Sequence, residues 1–362
     1  MIVDSHAHIF PPMGGRSGFP SVREHMRYVQ HMLMFHHQPV RRSDDNSRYL
    51  GDNMLYDGRD ASMGGLAEVE FRGSTYGRFA WSSGGVHYYT QYLPPTLADL
   101  SSTPEQMIAQ MDYAGVDRAV VQTGHAYGRL NGYISDAVRS YPDRLWGLAL
   151  VDEWRADQPG QLRGLDRAVL QLGLHGLWFQ SGNLRLYGRT ESIDDPVFHG
   201  FWDRVADLGI PVFLNLTTLE PGIEPYLKEL DAFDRWAQRY PGLRVVLAHG
   251  LPLFRFMDGG DIRIPSRAWK PLSRENVVVE LLLPIFQGSI WEYPFEEARP
   301  IVREYYERLG PEKLAWGSDI PNVERHCTYR QSLDYLRLDC DFISKDDMAQ
   351  ISGGNIGRLF GA

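Results

Sequence analysis

The sequence predicts an α/β fold: a distorted (β/α)8 TIM barrel with a β-rich insertion after its first strand. Three observations carry this. From about residue 104 onward, short β-branched runs alternate with amphipathic stretches of helical length, the pattern of a parallel sheet covered by helices. With Met1–His6 at the front there are eight strand candidates, the number that closes a barrel. An open doubly wound sheet usually carries a glycine-rich phosphate loop after its first strand, and none follows His6.

Taken in order, Met1–His6 is strand one. A helix over Pro104–Ala114 is opened by Thr103, a good N-cap residue. Strands two to five are expected at Asp117–Thr123, Leu145–Val151, His175–Gln180 and Ile210–Leu216. The helices between and after them run over Leu130–Tyr141, Gln161–Leu172, Val197–Leu208 and Tyr226–Tyr240. Strands six to eight follow at Leu243–His249, Asn276–Leu282 and Leu314–Asp319, with a helix at Glu296–Leu309. Helices at Tyr329–Leu338 and Asp346–Ile351 and a last turn at Asn355–Phe360 complete the chain. Residues 11 to about 100 break the alternation. Glu68–Phe71, Arg78–Trp81 and Val86–Tyr92 read as short antiparallel strands, with a turn at Ser82–Gly85. The barrel is therefore assigned to 1–10 and 101–362, and 11–100 to a cap over its mouth.

Length and composition agree. The 362 residues suit one barrel with a large insertion or two ordinary domains. With 43% hydrophobic and 23% charged residues, global disorder is excluded. Lys+Arg 37 against Asp+Glu 46 leaves a net charge of −9, which disfavours nucleic acid as a partner. Apolar runs such as Val277–Leu283 are far too short to cross a bilayer, and no apolar targeting segment follows Met1. Two cysteines, Cys327 and Cys340, exclude a disulfide framework and make a cytoplasmic home the simplest expectation.

The chemistry is expected at the strand ends, because barrel active sites lie on that face. His6 and His8 stand two apart at the end of strand one, so both imidazoles face the axis as two nitrogen donors for a metal. His249 closes strand six and Asp319 closes strand eight. A carboxylate placed there can ligate a metal and take a proton from water. A polar pair merely satisfied inside a barrel mouth is the plainer reading of His6 and His8. The co-placement of Asp319 and His249 outweighs it. Glu280 sits within an apolar strand as a metal ligand, a support for one, or a base. His125, Gln180 and His326 are candidates to line the pocket. Arg16, Arg41, Arg42 and Arg72 lie in the insertion; one of them, with Arg72 the candidate, would clamp a substrate carboxylate. Trp81, Tyr88, Tyr89 and Tyr92 read as the cap's own core, and His36-His37 as a pocket edge or dimer contact.

Val3-Asp4-Ser5-His6-Ala7-His8, Ala248-His249-Gly250 and Gly317-Ser318-Asp319-Ile320-Pro321, in this order, resemble the amidohydrolase superfamily. Tyr141-Pro142-Asp143-Arg144 and Gly354-Asn355 narrow the resemblance to the amidohydrolase-2 family, the branch named after aminocarboxymuconate-semialdehyde decarboxylase. The resemblance implies His6, His8 and Asp319 as ligands of one divalent metal (Zn, Mn or Fe). It implies His249 as a catalytic acid/base, or a ligand in some members. Pro211-Val212-Phe213-Leu214-Asn215-Leu216 departs from the family, which commonly has a histidine ligand where Asn215 stands. Asparagine is a harder oxygen donor, better suited to Mg, Ca or Mn than to zinc. Either Asn215 ligates, or His249 or Glu280 completes the sphere, or the metal is lost, as in certain lactonases. The leading expectation is hydrolysis of a small ester, lactone or amide bearing a carboxylate or phenol. Non-oxidative decarboxylation of an aromatic or unsaturated acid is the alternative, and a catalytically degenerate ligand-binding barrel a third. Expected partners are a small-molecule substrate and a second copy of the chain, with no nucleic acid and no membrane.

Overall fold

A computed structural model describes residues 1–36, 38–259 and 261–362. Eight strands pair in chain order into one parallel sheet: β1 (Val3–Ala7), β2 (Arg118–Val121), β3 (Leu145–Leu150), β4 (Gly176–Gln180), β5 (Val212–Asn215), β6 (Val245–Ala248), β7 (Val277–Leu281) and β8 (Leu314–Trp316). The sheet closes through a parallel bridge from Ala7 to Ile320, just past β8. His8 N–H donates to the Ile320 carbonyl at 2.8 Å, and Asp319 N–H to the His6 carbonyl at 2.8 Å. The expected barrel is thus present, and its closing hydrogen bonds lie at the residues expected to carry the chemistry.

Alternation sorts the side chains. Val3, Val120, Trp146, Leu148, Trp178, Phe213, Val246 and Ala315 fill the barrel interior. Leu177, Phe179, Val212, Leu214, Val277 and Val279 face the helices. The Pro104–Ala114 helix has its expected bounds: Thr103 accepts from Gln106 N–H, and Gly115 ends it in the left-handed region. Two expectations are corrected. Gln161–Leu172 is α-helical over Pro159–Asp166 and then widens into a π turn at Arg167–Gln171. A helix at Ser266–Leu272, between β6 and β7, was not expected from the sequence, because Pro271 interrupts its pattern.

The insertion forms a four-stranded antiparallel sheet in the order Val40–Arg42, Val86–Gln91, Arg78–Ser83, Arg72–Gly73. The hairpin is as expected, with Ser83 opposite Val86 and Gly84-Gly85 turning with φ +56° and +76°. Glu68–Phe71 is not a strand; Val40–Arg42 and Arg72–Gly73 take the sheet's outer places. A 13-residue helix, Val22–Met34, for which the sequence reading names no element, accompanies this sheet. At its start the Ser21 side chain accepts from Glu24 N–H. Trp81, Tyr88 and Tyr92 are buried, in one hydrophobic core continuous with that of the barrel. His25 reaches the Gly15 and Ala126 carbonyls at 2.8 Å each, and Arg325 reaches His36 and the Tyr92 carbonyl. These bonds tie the insertion to the loops after β2 and β8. His37 lies outside the described residues.

Candidate active site

The His-x-His segment is shaped by a bulge. Asp4 pairs with Ala119 and Ala7 with Val121, so three steps along β1 match two along β2. The extra residue shifts the alternation. Val3 and Ser5 face inward before it, and His6 and His8 after it. The two rings meet edge-on with centroids 5.0 Å apart. Gly317 makes the room: a Cβ there would lie 2.7 Å from Ser5 Oγ and 2.9 Å from His6 Cβ.

Each imidazole is held from behind by its Nδ1. His6 Nδ1 bonds Glu280 Oε2 at 2.9 Å, and His8 Nδ1 bonds the Gln122 carbonyl at 2.8 Å. Both Nε2 atoms are left for the site. His8 Nε2 lies 2.9 Å from Asp319 Oδ1. His6 Nε2 is buried and bonded to nothing. Donor atoms of His6, His8 and Asp319 all lie within 4.8 Å of one another. Two imidazole nitrogens and one carboxylate oxygen fit a divalent metal, and the bare Nε2 of His6 is the atom such an ion would satisfy.

His249 and Asp319 lie just past β6 and β8, at φ +65° and +60°. Left-handed backbone is uncommon outside glycine and concentrates at functional sites. The His249 conformation depends on Gly250, itself at φ +62°, where a Cβ would stand 2.6 Å from the Glu280 carbonyl. His249 Nε2 is 3.9 Å from Asp319 Oδ2, and its ring is 4.4 Å from that of His6. Asn322 Nδ2 donates to Asp319 Oδ1 at 2.8 Å.

The electrostatics follow from burial. Burial lowers His6 and His249 to about 3, each further opposed by a neighbouring imidazole, so both are neutral donors at ordinary pH. Burial raises the Glu280 carboxyl to about 7, against the pull of His249 and of hydrogen bonds from His249 N–H and Ser5 Oγ. Burial alone would raise Asp319 as well. The hydrogen bond from His8 and the fields of the three histidines outweigh it and hold Asp319 below the usual carboxylate range.

The structure brings His6, His8, His249, Asp319 and Glu280 together. Glu280 is placed behind His6, with both oxygens engaged by Ser5, His6 and His249. Asn215 ends β5 between Gln180 and Ala248, on the inner face it shares with Phe213. Gln180 is half-buried and gives its backbone N–H to Glu153. His125 Nε2 bonds the same carboxylate at 2.8 Å. His326 is half-buried against Gly288 and lowered to about 4, by burial first and by Arg325. Arg72 is exposed and donates to the Glu70 carbonyl, and Arg16, Arg41 and Arg42 likewise spend donors within the insertion. Sequence reasoning did not single out Ser5, Gln122, Glu153, Trp178 and Asn322. Only Gln122 and Trp178 carried a signal, since alternation from Val120 and Gly176 points them inward. Asp4 was quoted only within its motif. It is buried and accepts from His6 and Ser318 backbone, Ser318 Oγ and Tyr329 OH, so it clamps β1 to β8.

Fold and site define a class: a (β/α)8 barrel with a His-His-Asp group at its strand ends that is able to hold a metal ion. The chain belongs to the amidohydrolase family, whose profile matches residues 3–362. It is similar to L-fucono-1,5-lactonase from Burkholderia ambifaria, 27% identical over 194 residues, which is 46% of this chain and 62% of that protein. The match therefore spans less than two thirds of that curated relative. Among solved structures, a probable 2-pyrone-4,6-dicarboxylic acid hydrolase from Acinetobacter baumannii superposes with TM-score 0.59 at 19% identity, covering 100% of this chain and 99% of that one. The 5-carboxyvanillate decarboxylase of Sphingomonas paucimobilis gives 0.52 at 21% identity, over 74% and 86%. A manganese-bound dihydroxybenzoic acid decarboxylase from Polaromonas gives 0.52 at 16%, over 72% and 87%. These likenesses show the shared barrel.

Proposed function

We propose that the protein is a metal-dependent hydrolase of a small lactone, ester or amide bearing a carboxylate or phenol. The observation that carries this is the convergence of His6 Nε2, His8 Nε2 and Asp319, with both Nδ1 atoms anchored from behind. These three residues would hold one divalent ion, Zn, Mn or Fe, whose chemistry there is to acidify water and polarise a carbonyl. Glu280 keeps the Nδ1 proton on His6, so that Nε2 presents its lone pair. Asp319 Oδ2 is placed to take the proton of the attacking water. His249 Nε2, 3.9 Å away, is placed to pass it to the leaving oxygen. Asn215, on the same inner face, is the remaining oxygen donor from β5, and its hardness favours Mn over Zn.

A lactone substrate is supported by the lactonase relative. Decarboxylation is the alternative raised by the decarboxylase neighbours, one of which holds manganese and 2-nitroresorcinol. A homodimer joined through the insertion and a cytoplasmic setting complete the reading. Cys327 and Cys340 are both free and buried, and no helix among the described residues is long and apolar enough to cross a membrane.

The test is metal content by plasma mass spectrometry, with Asn215→His alongside, followed by lactone and hydroxybenzoate panels in 18O water. About one equivalent of metal and 18O in the product support hydrolysis. Release of CO2 without 18O would assign decarboxylation instead. Metal found in the variant alone would mean that Asn215 empties the site.

A further inference from the structure

The end of β2 carries polar atoms that the reading above does not use. Gln122 follows Val120 by two, so its side chain shares the inner face. It is 0% exposed. Its backbone is fully engaged, with N–H on the Ala7 carbonyl and its own carbonyl on His8 Nδ1. Its side-chain amide is not: neither Nε2 nor Oε1 has a partner. Among the described residues it is the one side chain with two orphaned buried atoms. Thr123 Oγ1, next along, is also unpartnered.

His125 continues the line. Its ring is fixed between Tyr28, at 5.5 Å, and Trp154, at 5.0 Å. Nε2 bonds Glu153 Oε2 at 2.8 Å, and Glu153 Oε1 takes the Gln180 N–H. With Nε2–H donated to the carboxylate, Nδ1 presents a lone pair, and Nδ1 is buried without a partner. Burying such groups unsatisfied is unfavourable, and a fold that needed only volume here would be better served by leucine.

We propose that Gln122 and the Glu153-held His125 form the specificity edge of the site and read hydroxyl groups on the substrate ring. The donor–acceptor balance selects that chemistry. Gln122 Oε1 and His125 Nδ1 both require a donor. An ionised carboxylate has none, whereas a hydroxyl both donates and accepts, which suits the adjacent Oε1 and Nε2 of one amide. A ring carrying hydroxyl groups therefore satisfies this edge where a bare or purely carboxylated ring does not. A site built to bond a hydroxyl rejects the analogue lacking it far more strongly than an apolar pocket would.

The turnover arm of the test rests on the hydrolase reading; the binding arm does not. Aldono-1,5-lactones of gluco and galacto configuration are compared with δ-valerolactone, and D-gluconate and D-galactonate with valerate as ligands in thermal melts. The wild type should hydrolyse at least one hydroxylated lactone tenfold or more better than valerolactone, and one hydroxylated acid should raise its Tm where valerate does not. Gln122→Leu should lose that preference at least tenfold and melt at or above the wild-type temperature without ligand. His125→Phe should lose the preference as well. A fall of several degrees in the Gln122→Leu melt, with both lactones equally impaired, would make the amide structural and overturn the proposal. So would a wild type that prefers valerolactone and valerate. Should no lactone turn over, lactone hydrolysis falls while the melts still decide this one: a shift by a hydroxylated acid that Gln122→Leu abolishes supports it, and equal shifts or none in wild type and variant refute it.

Discussion

At the scale of single residues, the site depends on groups that never touch the reacting atoms. Glu280 receives Ser5 Oγ, His6 Nδ1 and His249 N–H, so one carboxylate sets the tautomer of one imidazole and the backbone of another. Removing such a support typically lowers metal affinity about 10–100-fold. Glu280→Gln preserves the volume but must present an N–H2 to one of those donors. It is expected to bind Mn or Zn about 10–100-fold more weakly, as read by chelator competition, while retaining its fold by circular dichroism. Unchanged affinity would show that Glu280 does not orient His6. His6, His8, His249 and Asp319 were legible in the sequence because each ends a strand on one face. Glu153 was not, and alternation points Gln122 inward without revealing that its amide lacks partners, which appears only once the chain is folded.

At the scale of elements, close approaches set what the strand ends tolerate. Gly317 lets β8 pass β1, and an added Cβ would stand 2.7 Å from Ser5 Oγ, 2.8 Å from Leu282 Cδ1 and 2.9 Å from His6 Cβ. Overpacking of this kind costs about 1–3 kcal/mol. Gly317→Ala is expected to lower Tm by a few degrees and to weaken metal binding together with it, because His6 is one of the atoms displaced. A variant that loses stability but keeps full metal affinity would separate the two effects. The helix Ile223–Arg239 offers a pH test. Its Asp234 accepts Arg274 Nε at 2.7 Å and pairs with Lys270 at 2.9 Å. Burial alone would raise this carboxyl, but the bonds from Arg274 and Lys270 outweigh it and leave it below its ordinary value. A depressed native pKa gives stability that is complete above the unfolded value and is lost as pH falls through the folded one. Asp234→Asn should therefore cost roughly 1–3 kcal/mol near neutrality, and the gap should narrow below about pH 4, in urea titrations at both pH values. A gap that stays constant with pH would remove the charge from the account.

At the scale of the molecule, insertion and barrel share one hydrophobic core and are joined by His25 and Arg325. Stabilising the site should therefore stabilise the whole chain. An ion that binds only the native state adds about 2.7 kcal/mol at a hundred times its Kd. Mn or Zn at that excess should raise Tm by several degrees in a single transition, and a chelator should reverse the shift. A transition that splits in two under chelation would show the insertion unfolding apart from the barrel.

The sequence by itself determined the architecture. The alternation of β-branched runs with amphipathic stretches is local and repeated, and eight such units leave few ways to bury their faces. It also determined which strand ends carry histidine and aspartate. Only the tertiary structure decided that a bulge in β1 turns both imidazoles inward, that Glu280 stands behind His6, and that Gln122 is left without partners. It also placed Val40–Arg42, rather than Glu68–Phe71, in the insertion sheet. Those outcomes depend on pairing register and on contacts between residues such as His6 and Glu280, far apart in the chain, and neither is encoded in local pattern.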